Sequence, residues 1–211
     1  MEQDVPQTPV TNPRILNLGC GFKKFIGTNA VNVDFMANCV PDILWDLNVA
    51  PWPWAENESF DLIRALHVFE HLTDWWPAFC ECARVLKVGG LLEVRVPDES
   101  SATALTYRDH HSAFTINSFH GIMDNEKVPH RSGTNAWALS LDGTVPFKII
   151  FYAQVPFKRY DWMINWAPWL LKFCAAHLRN FIWEQVFVFK KIIPDATVSG
   201  VVGRLPDRGG Q

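Results

Sequence analysis

Residues 15–21, Ile-Leu-Asn-Leu-Gly-Cys-Gly, constrain the fold of this chain more than any other stretch. An apolar run broken by Gly19 and Gly21 reads as a buried strand feeding a tight turn, where backbone N–H groups can approach a ligand closely. "AVNVDF" at 30–35 alternates and is β-branched, so it reads as a second strand. Only residues 19–29 lie between the two, which leaves room for a first helix of no more than a turn or two. "FDLIRAL" (60–66) is a third strand. The stretch from His67 to Gly90 follows as a helix, with apolar positions at Phe79, Ala83 and Leu86 and a stop at Gly89 and Gly90. "LLEVRVP" (91–97) is a fourth strand ended by Pro97. This rhythm is that of an α/β domain with a mostly parallel sheet.

Beyond residue 98 the pattern changes. Residues 99–147 are polar, contain four histidines and show no clear period, as a lid or substrate-binding segment does. Residues 147–158 and 183–192 read as further strands, with a Trp-rich helical stretch at about 162–180 between them. The expected organisation is a flexible segment over 1–13, one domain over 14–193 and a flexible tail over 194–211. Within the domain, 148–193 holds the C-terminal strands and the aromatic helix.

At 211 residues and 48% hydrophobic, the chain can bury one sizeable core. A net charge of −3 argues against wholesale binding to a phosphate backbone, so no nucleic-acid partner is expected. Five cysteines without disulfide spacing suit a reducing compartment, and Cys80-x-Cys82 reads as two small helix residues. The N-terminus lacks an apolar signal region, and the run "WMINWAPWLL" is too short to span a bilayer. A cytoplasmic location is the expectation.

In open α/β sheets, ligands bind beyond the carboxyl ends of the strands. Asp34 ends the second strand, where a carboxylate can accept two hydrogen bonds from a ribose diol. A dinucleotide fingerprint would require a third glycine where Lys24 stands. "LNLGCGFKKFIGTNAVNVDF", "DILWDLN", "PWPWAENESFDLIRALHVFEHL" and "ARVLKVGGLLEVRVPD" together resemble the ordered motifs of class I S-adenosylmethionine-dependent methyltransferases. The resemblance covers residues 14–98 and is nearest to the type 11-like group, in a short-helix form reading L-N-L-G-C-G, Lys, Gly, then N-V-D. It implies a Rossmann-like sheet with an antiparallel last strand near 183–192, and S-adenosylmethionine as cofactor. It also implies that Gly19, Cys20 and Gly21 line the methionine and ribose part, that Asp34 holds the ribose diol, and that Asp46 and the Leu47 backbone meet adenine. Lys24 matches a basic position of the group and would face the methionine carboxylate.

"HVFEH" (67–71) spells the letters of an inverted zinc-protease motif, and on a helix His67 and His71 would sit one turn apart. The resemblance places the same segment in a methyltransferase motif that reads "HVLEHL" without metal, so Glu70 and His71 are expected to pack a helix start. No metal is assigned. His67 would lie near the transferred methyl group, to orient the acceptor or take its proton, or it would only pack against the cofactor. His110, His111, His120 and His130 could bind a divalent metal; alternatively Asp109, His110 or His111 could serve as a substrate-facing base. Asp98, after the last core strand, is a further candidate to bind the acceptor. The catalytic candidates are thus His67, Asp98 and His111.

The resulting expectation is methyl transfer from S-adenosylmethionine, at oxygen, to a small or glycan- or lipid-linked acceptor. Nucleic-acid base methylation is disfavoured, because "ALHVFEH" follows the third strand in place of an Asn-Pro-Pro-aromatic tetrapeptide. The rival expectation is a catalytically silent, cofactor-binding scaffold. It would act through the aromatic stretch around Trp162, Trp166 and Trp169, which reads either as a core-packing helix or as a greasy surface that meets lipid or a partner.

Overall fold

The structure is a computed structural model and describes residues 12–27, 29–119 and 145–193. His120, His130, the tail, most of the N-terminal segment and much of the expected lid lie outside the described residues.

Seven strands form one sheet: β1 (Ile15–Leu18), β2 (Ala30–Asp34), β3 (Ile43–Leu44), β4 (Phe60–Leu66), β5 (Leu86–Pro97), β6 (Phe147–Pro156) and β7 (Ile182–Lys191). Their order is β3-β2-β1-β4-β5-β7-β6. The first five run parallel, and β7 pairs antiparallel with both β5 and β6. This is the expected Rossmann-like α/β fold. The strand order reverses beside β1, so the carboxyl ends of β1, β2 and β4 open onto one crevice.

The first crossover contains no α-helix among the described residues, and two buried asparagines hold it instead. Asn32 Oδ1 accepts from Phe25 N–H (2.9 Å) and from Asn17 Nδ2 (3.0 Å), while Asn32 Nδ2 donates to the Phe25 carbonyl (3.1 Å). These bonds satisfy backbone groups that a helix would otherwise pair. The asparagines of "LNL" and "NVD" therefore have a structural task.

Helix α1 (Trp75–Val85) starts later than the sequence suggests. A short 3-10 turn over Phe69–His71 comes first, and Asp74 caps the helix by accepting from Trp76 N–H (3.0 Å). The helix also ends earlier, at Val85. The carbonyls of Arg84 and Val85 accept from the N–H groups of Glu58 (3.0 Å) and Ser59 (2.8 Å), so the chain turns directly into β5. Gly89 and Gly90 lie inside β5, where the register against β4 shifts between Phe60 and Leu62. A Cβ on Gly90 would approach the Lys87 carbonyl to 2.9 Å and the Asp61 carbonyl to 3.0 Å. The two glycines thus serve a bulge rather than a helix stop.

The core lies on the α1 side of the sheet. Phe79 packs edge-on against Phe147 (centroids 5.1 Å) and Phe189 (5.2 Å) and also meets Trp75 and Trp76. Its truncation to Ala would cost about 3–5 kcal/mol. The alternate residues of β4, β5 and β7 carry charge instead. Arg64 Nε donates to Glu93 (2.7 Å), Glu93 accepts from Arg95 Nε (2.8 Å), and Arg95 Nη1 reaches Glu184 (3.2 Å). That ladder of alternating charge leads to the crevice.

After the short helix α2 (Ala102–Thr106), the aromatic stretch between β6 and β7 forms two helices, α3 (Asp161–Trp166) and α4 (Pro168–His177). Pro168 at the first position of α4 breaks what the sequence presents as one helix. Met163 and Cys174 are the residues these helices bury, whereas Trp166 is 85% and Trp169 71% exposed. The stretch is a surface, not a core-packing helix. No helix among the described residues is long and apolar enough to cross a membrane.

Candidate active site

The crevice holds a cavity of about 380 Å³. Its walls include Gly19, Gly21, Asp34, Asp46, Leu47, His67 and His111, so seven residues marked in the sequence meet in one place. Gly19 has φ +57°, and a Cβ there would come within 2.5 Å of Val68 Cγ2. A Cβ on Gly21 would meet nothing within 4 Å, so the turn leaves open space for a ligand.

Asp34 is 3% exposed. Its Oδ2 accepts from Gly21 N–H (2.8 Å) and its Oδ1 from Met36 N–H (2.9 Å). Both bonds aim the carboxylate into the cavity. Each carboxylate oxygen has a second lone pair, which a ribose diol can use. Asp46 folds back on its own turn, with Oδ1 accepting from the N–H (2.9 Å) and side-chain amide (2.9 Å) of Asn48. Phe35, Met36 and Trp45 add apolar surface around it. A glycine cradle, a buried carboxylate and an apolar end with an acidic rim fit an adenosine-containing cofactor.

Three candidates lie elsewhere. Cys20 is buried beside Cys39, and burial, helped by Cys39 and Asp34, pushes its thiol up to about 12. It packs the turn and does not line the cavity. Lys24 donates from Nζ to the Val40 carbonyl (2.7 Å) and is absent from the cavity wall, because the helix-free crossover carries it toward the β2–β3 loop. Asp98 is buried and fully engaged: Ser100 occupies Oδ1, while Gln154 (3.1 Å) and Gln185 (3.0 Å) donate to Oδ2. It ties β5 to β6 and β7 and lines neither cavity.

His67 follows β4 with φ +55°, a conformation that side chains seldom adopt. Its N–H donates to the Arg95 carbonyl (2.8 Å). Its Nε2 lies 3.0 Å from Glu184 Oε2 and its Nδ1 3.1 Å from Glu70 Oε1. The hydrogen bonds to Glu184 and then Glu70 outweigh partial burial and raise its pKa to about 9. His67 is therefore an imidazolium at neutral pH, the positive end of the charge ladder, and not a vacant base. Glu184 lies 117 residues away on β7, and no local sequence signal marks it.

A second cavity of about 330 Å³ adjoins the first. Tyr107, Thr103 and Trp183 line it, and it shares His67, His71 and Asp109 with the first cavity. Sequence reasoning missed Tyr107, Thr103 and Trp183, which come from distant segments. Asp109 and His110 were marked in sequence, and both belong to this wall.

Residues 16–94 match the family model described as methyltransferase domain. No curated protein sequence matches the chain. Among solved structures, an S-adenosylmethionine-dependent methyltransferase from Mesorhizobium loti is similar at TM-score 0.53 and 16% identity, over 85% of this chain and 91% of that one. An S-adenosylmethionine-dependent methyltransferase from Archaeoglobus fulgidus is similar at TM-score 0.54 and 14% identity, over 84% and 86%. A third is a Haloferax volcanii protein in complex with the Trm112 methyltransferase activator, at TM-score 0.52 and 12% identity, over 86% and 84%. At such identities these structures speak for the fold, and the matched motifs speak for the cofactor. Residues 16–94 are thus similar to the methyltransferase domain family, and the chain has the fold of S-adenosylmethionine-dependent methyltransferases.

Proposed function

We propose that the chain methylates a hydroxyl group of a small or glycan- or lipid-linked acceptor that enters through the second cavity. The observation that supports this most is the shared lining: His67, His71 and Asp109 border both cavities, so an acceptor there would lie next to the cofactor. Bound S-adenosylmethionine supplies an electrophilic sulfonium methyl group. The new bond is O–CH3, the broken bond is S–CH3, the hydroxyl proton passes to a base, and S-adenosylhomocysteine leaves.

Gly19, Gly21 and Asp34 would hold the cofactor, with Asp46 and the Leu47 backbone at its adenine. Alignment of nucleophile and leaving group can account for roughly 7–11 kcal/mol of barrier. His67, with both ring N–H groups engaged by Glu184 and Glu70, would present a fixed positive charge on the shared lining that favours the developing negative charge on the acceptor oxygen. The exposed His111 ring on the cofactor cavity would accept the proton, and its backbone is anchored by a bond from its N–H to the Glu70 carbonyl (2.7 Å).

The test is turnover of S-adenosylmethionine over a panel of hydroxylated small molecules and glycans, with the product methyl located by NMR. An O-linked methyl supports the proposal; an N-linked methyl overturns it.

The exposed Trp166 and Trp169 favour a second reading, in which this surface docks the protein on a cytoplasmic membrane face or a partner chain and cofactor binding occurs without turnover. Tight S-adenosylhomocysteine binding with no product over the whole panel, plus vesicle co-sedimentation lost in Trp166→Ser/Trp169→Ser, would favour it.

A further inference from the structure

On the wall between the two cavities, Glu70, His71 and His110 each present a ligand-capable atom, and these atoms lie within 4.8 Å of one another. Glu70 is 1% exposed, and its Oε2 has no hydrogen-bond partner. Leaving a buried carboxylate oxygen unpaired is costly, and such atoms call for an explanation. Its other oxygen is held by His67, so Oε2 is the atom left to bind something.

The two rings are prepared as metal ligands are. His71 Nδ1 lies 3.2 Å from the Asp109 carbonyl and 3.1 Å from its Oδ2. His110 Nδ1 lies 3.1 Å from the Ala104 carbonyl. A carbonyl oxygen only accepts, so each Nδ1 carries the hydrogen and each Nε2 keeps its lone pair. A backbone carbonyl or carboxylate fixing the far nitrogen is the usual support for a metal-bound histidine. The rings meet edge to face with centroids 4.6 Å apart.

We propose that Glu70, His71 and His110 form a site for a first-row divalent cation of the Zn2+ class. Two imidazoles and one carboxylate suit such an ion and leave a coordination position open. Ligand atoms around four-coordinate Zn2+ stand about 3.4 Å apart, so the partly exposed rings need to close by about an ångström. The open position would face the second cavity, and on the methyl-transfer reading above it would receive the acceptor oxygen. The site replaces the His67/His71 pairing that the H-x-x-E-H letters suggest, because His67 is held between Glu70 and Glu184. Cys20, Asp34 and Cys39 form the other cluster of ligand-capable groups among the described residues. Asp34 lines the first cavity, where on the reading above its free lone pairs serve the ribose diol, so the proposal rests on the Glu70 cluster.

The test needs no turnover. The full chain, stripped with a chelator, is dialysed against limiting Zn2+ and its metal content measured; Co2+ then serves as a spectroscopic probe. The expected results are one Zn2+ retained per chain and Co2+ ligand-field bands without a thiolate charge-transfer band. Affinity should fall by about a hundredfold or more in His110→Ala and in Glu70→Gln, and stay unchanged in Cys39→Ser. His110→Ala alters a partly exposed ring, which keeps the test valid if Glu70→Gln fails to fold. Folded wild-type protein that retains no Zn2+ would overturn the proposal. So would retention that survives His110→Ala, or a thiolate band that vanishes in Cys39→Ser. These results are independent of whether any acceptor is methylated.

Discussion

The Gly19→Ala substitution tests the cofactor turn quantitatively. Two costs add at this position. An L-residue held at φ +57° costs about 1–2 kcal/mol. The new Cβ also meets Val68 Cγ2 at 2.5 Å in a buried environment, and overpacking of that kind costs about 1–3 kcal/mol. Gly19→Ala should therefore destabilise by about 2–5 kcal/mol. Val68→Ala alone should cost about 2 kcal/mol through lost burial. The double variant should recover the steric part but not the backbone part, giving a favourable coupling of about 1–3 kcal/mol. Urea unfolding of the wild type, both single variants and the double variant closes the cycle. S-adenosylhomocysteine titration should show weakened binding in Gly19→Ala even where the protein stays folded. Strictly additive stabilities, or Gly19→Ala within about 0.5 kcal/mol of wild type, would refute the reasoning.

Three further outcomes follow from other parts of the structure. Burial opposes the charge on Glu81, but bonds from Arg84 and the Trp52 N–H overcome it and hold its carboxyl below the ordinary value of 4.5. Its stabilisation is present above that value and is lost as pH falls through the lower folded value; Glu81→Gln should cost about 1.5–3 kcal/mol at neutral pH and flatten the acid limb of stability against pH, whereas an unchanged acid limb would count against the pairing. The buried Cys20 thiol, with its pKa near 12, should resist iodoacetamide in folded protein at mildly alkaline pH, and rapid labelling located by mass spectrometry would contradict its placement. Asn32→Ala removes the side chain that pairs with Phe25 and Asn17, so it should cost about 2–3 kcal/mol by thermal unfolding, while a neutral effect would deny it the part of a missing helix.

Features set by adjacent residues were legible in the sequence. The apolar runs of β1, β2 and β4 and the cavity-lining carboxylate Asp34 needed only local pattern and motif order. The departures arise where distant segments decide. Strand β3 is two residues long and exists because it pairs with Val33 and Asp34. The helix end at Val85 depends on the N–H groups of Glu58 and Ser59, which no helical pattern reveals. His67 reads as a base from its position after β4, until Glu184 from β7 turns it into a fixed cation. Asp98 reads as a substrate ligand until Gln154 and Gln185 enclose it. Lys24 carries a motif letter, yet its side chain binds a loop carbonyl.

The central claim is that Asp34 and the glycine turn hold S-adenosylmethionine. Calorimetric titration with S-adenosylhomocysteine, on wild type and on Asp34→Ala checked for its fold by circular dichroism, tests it most directly. The account predicts micromolar binding at one site per chain, lost in the variant. Folded wild-type protein that does not bind, or equal binding in Asp34→Ala, would contradict it.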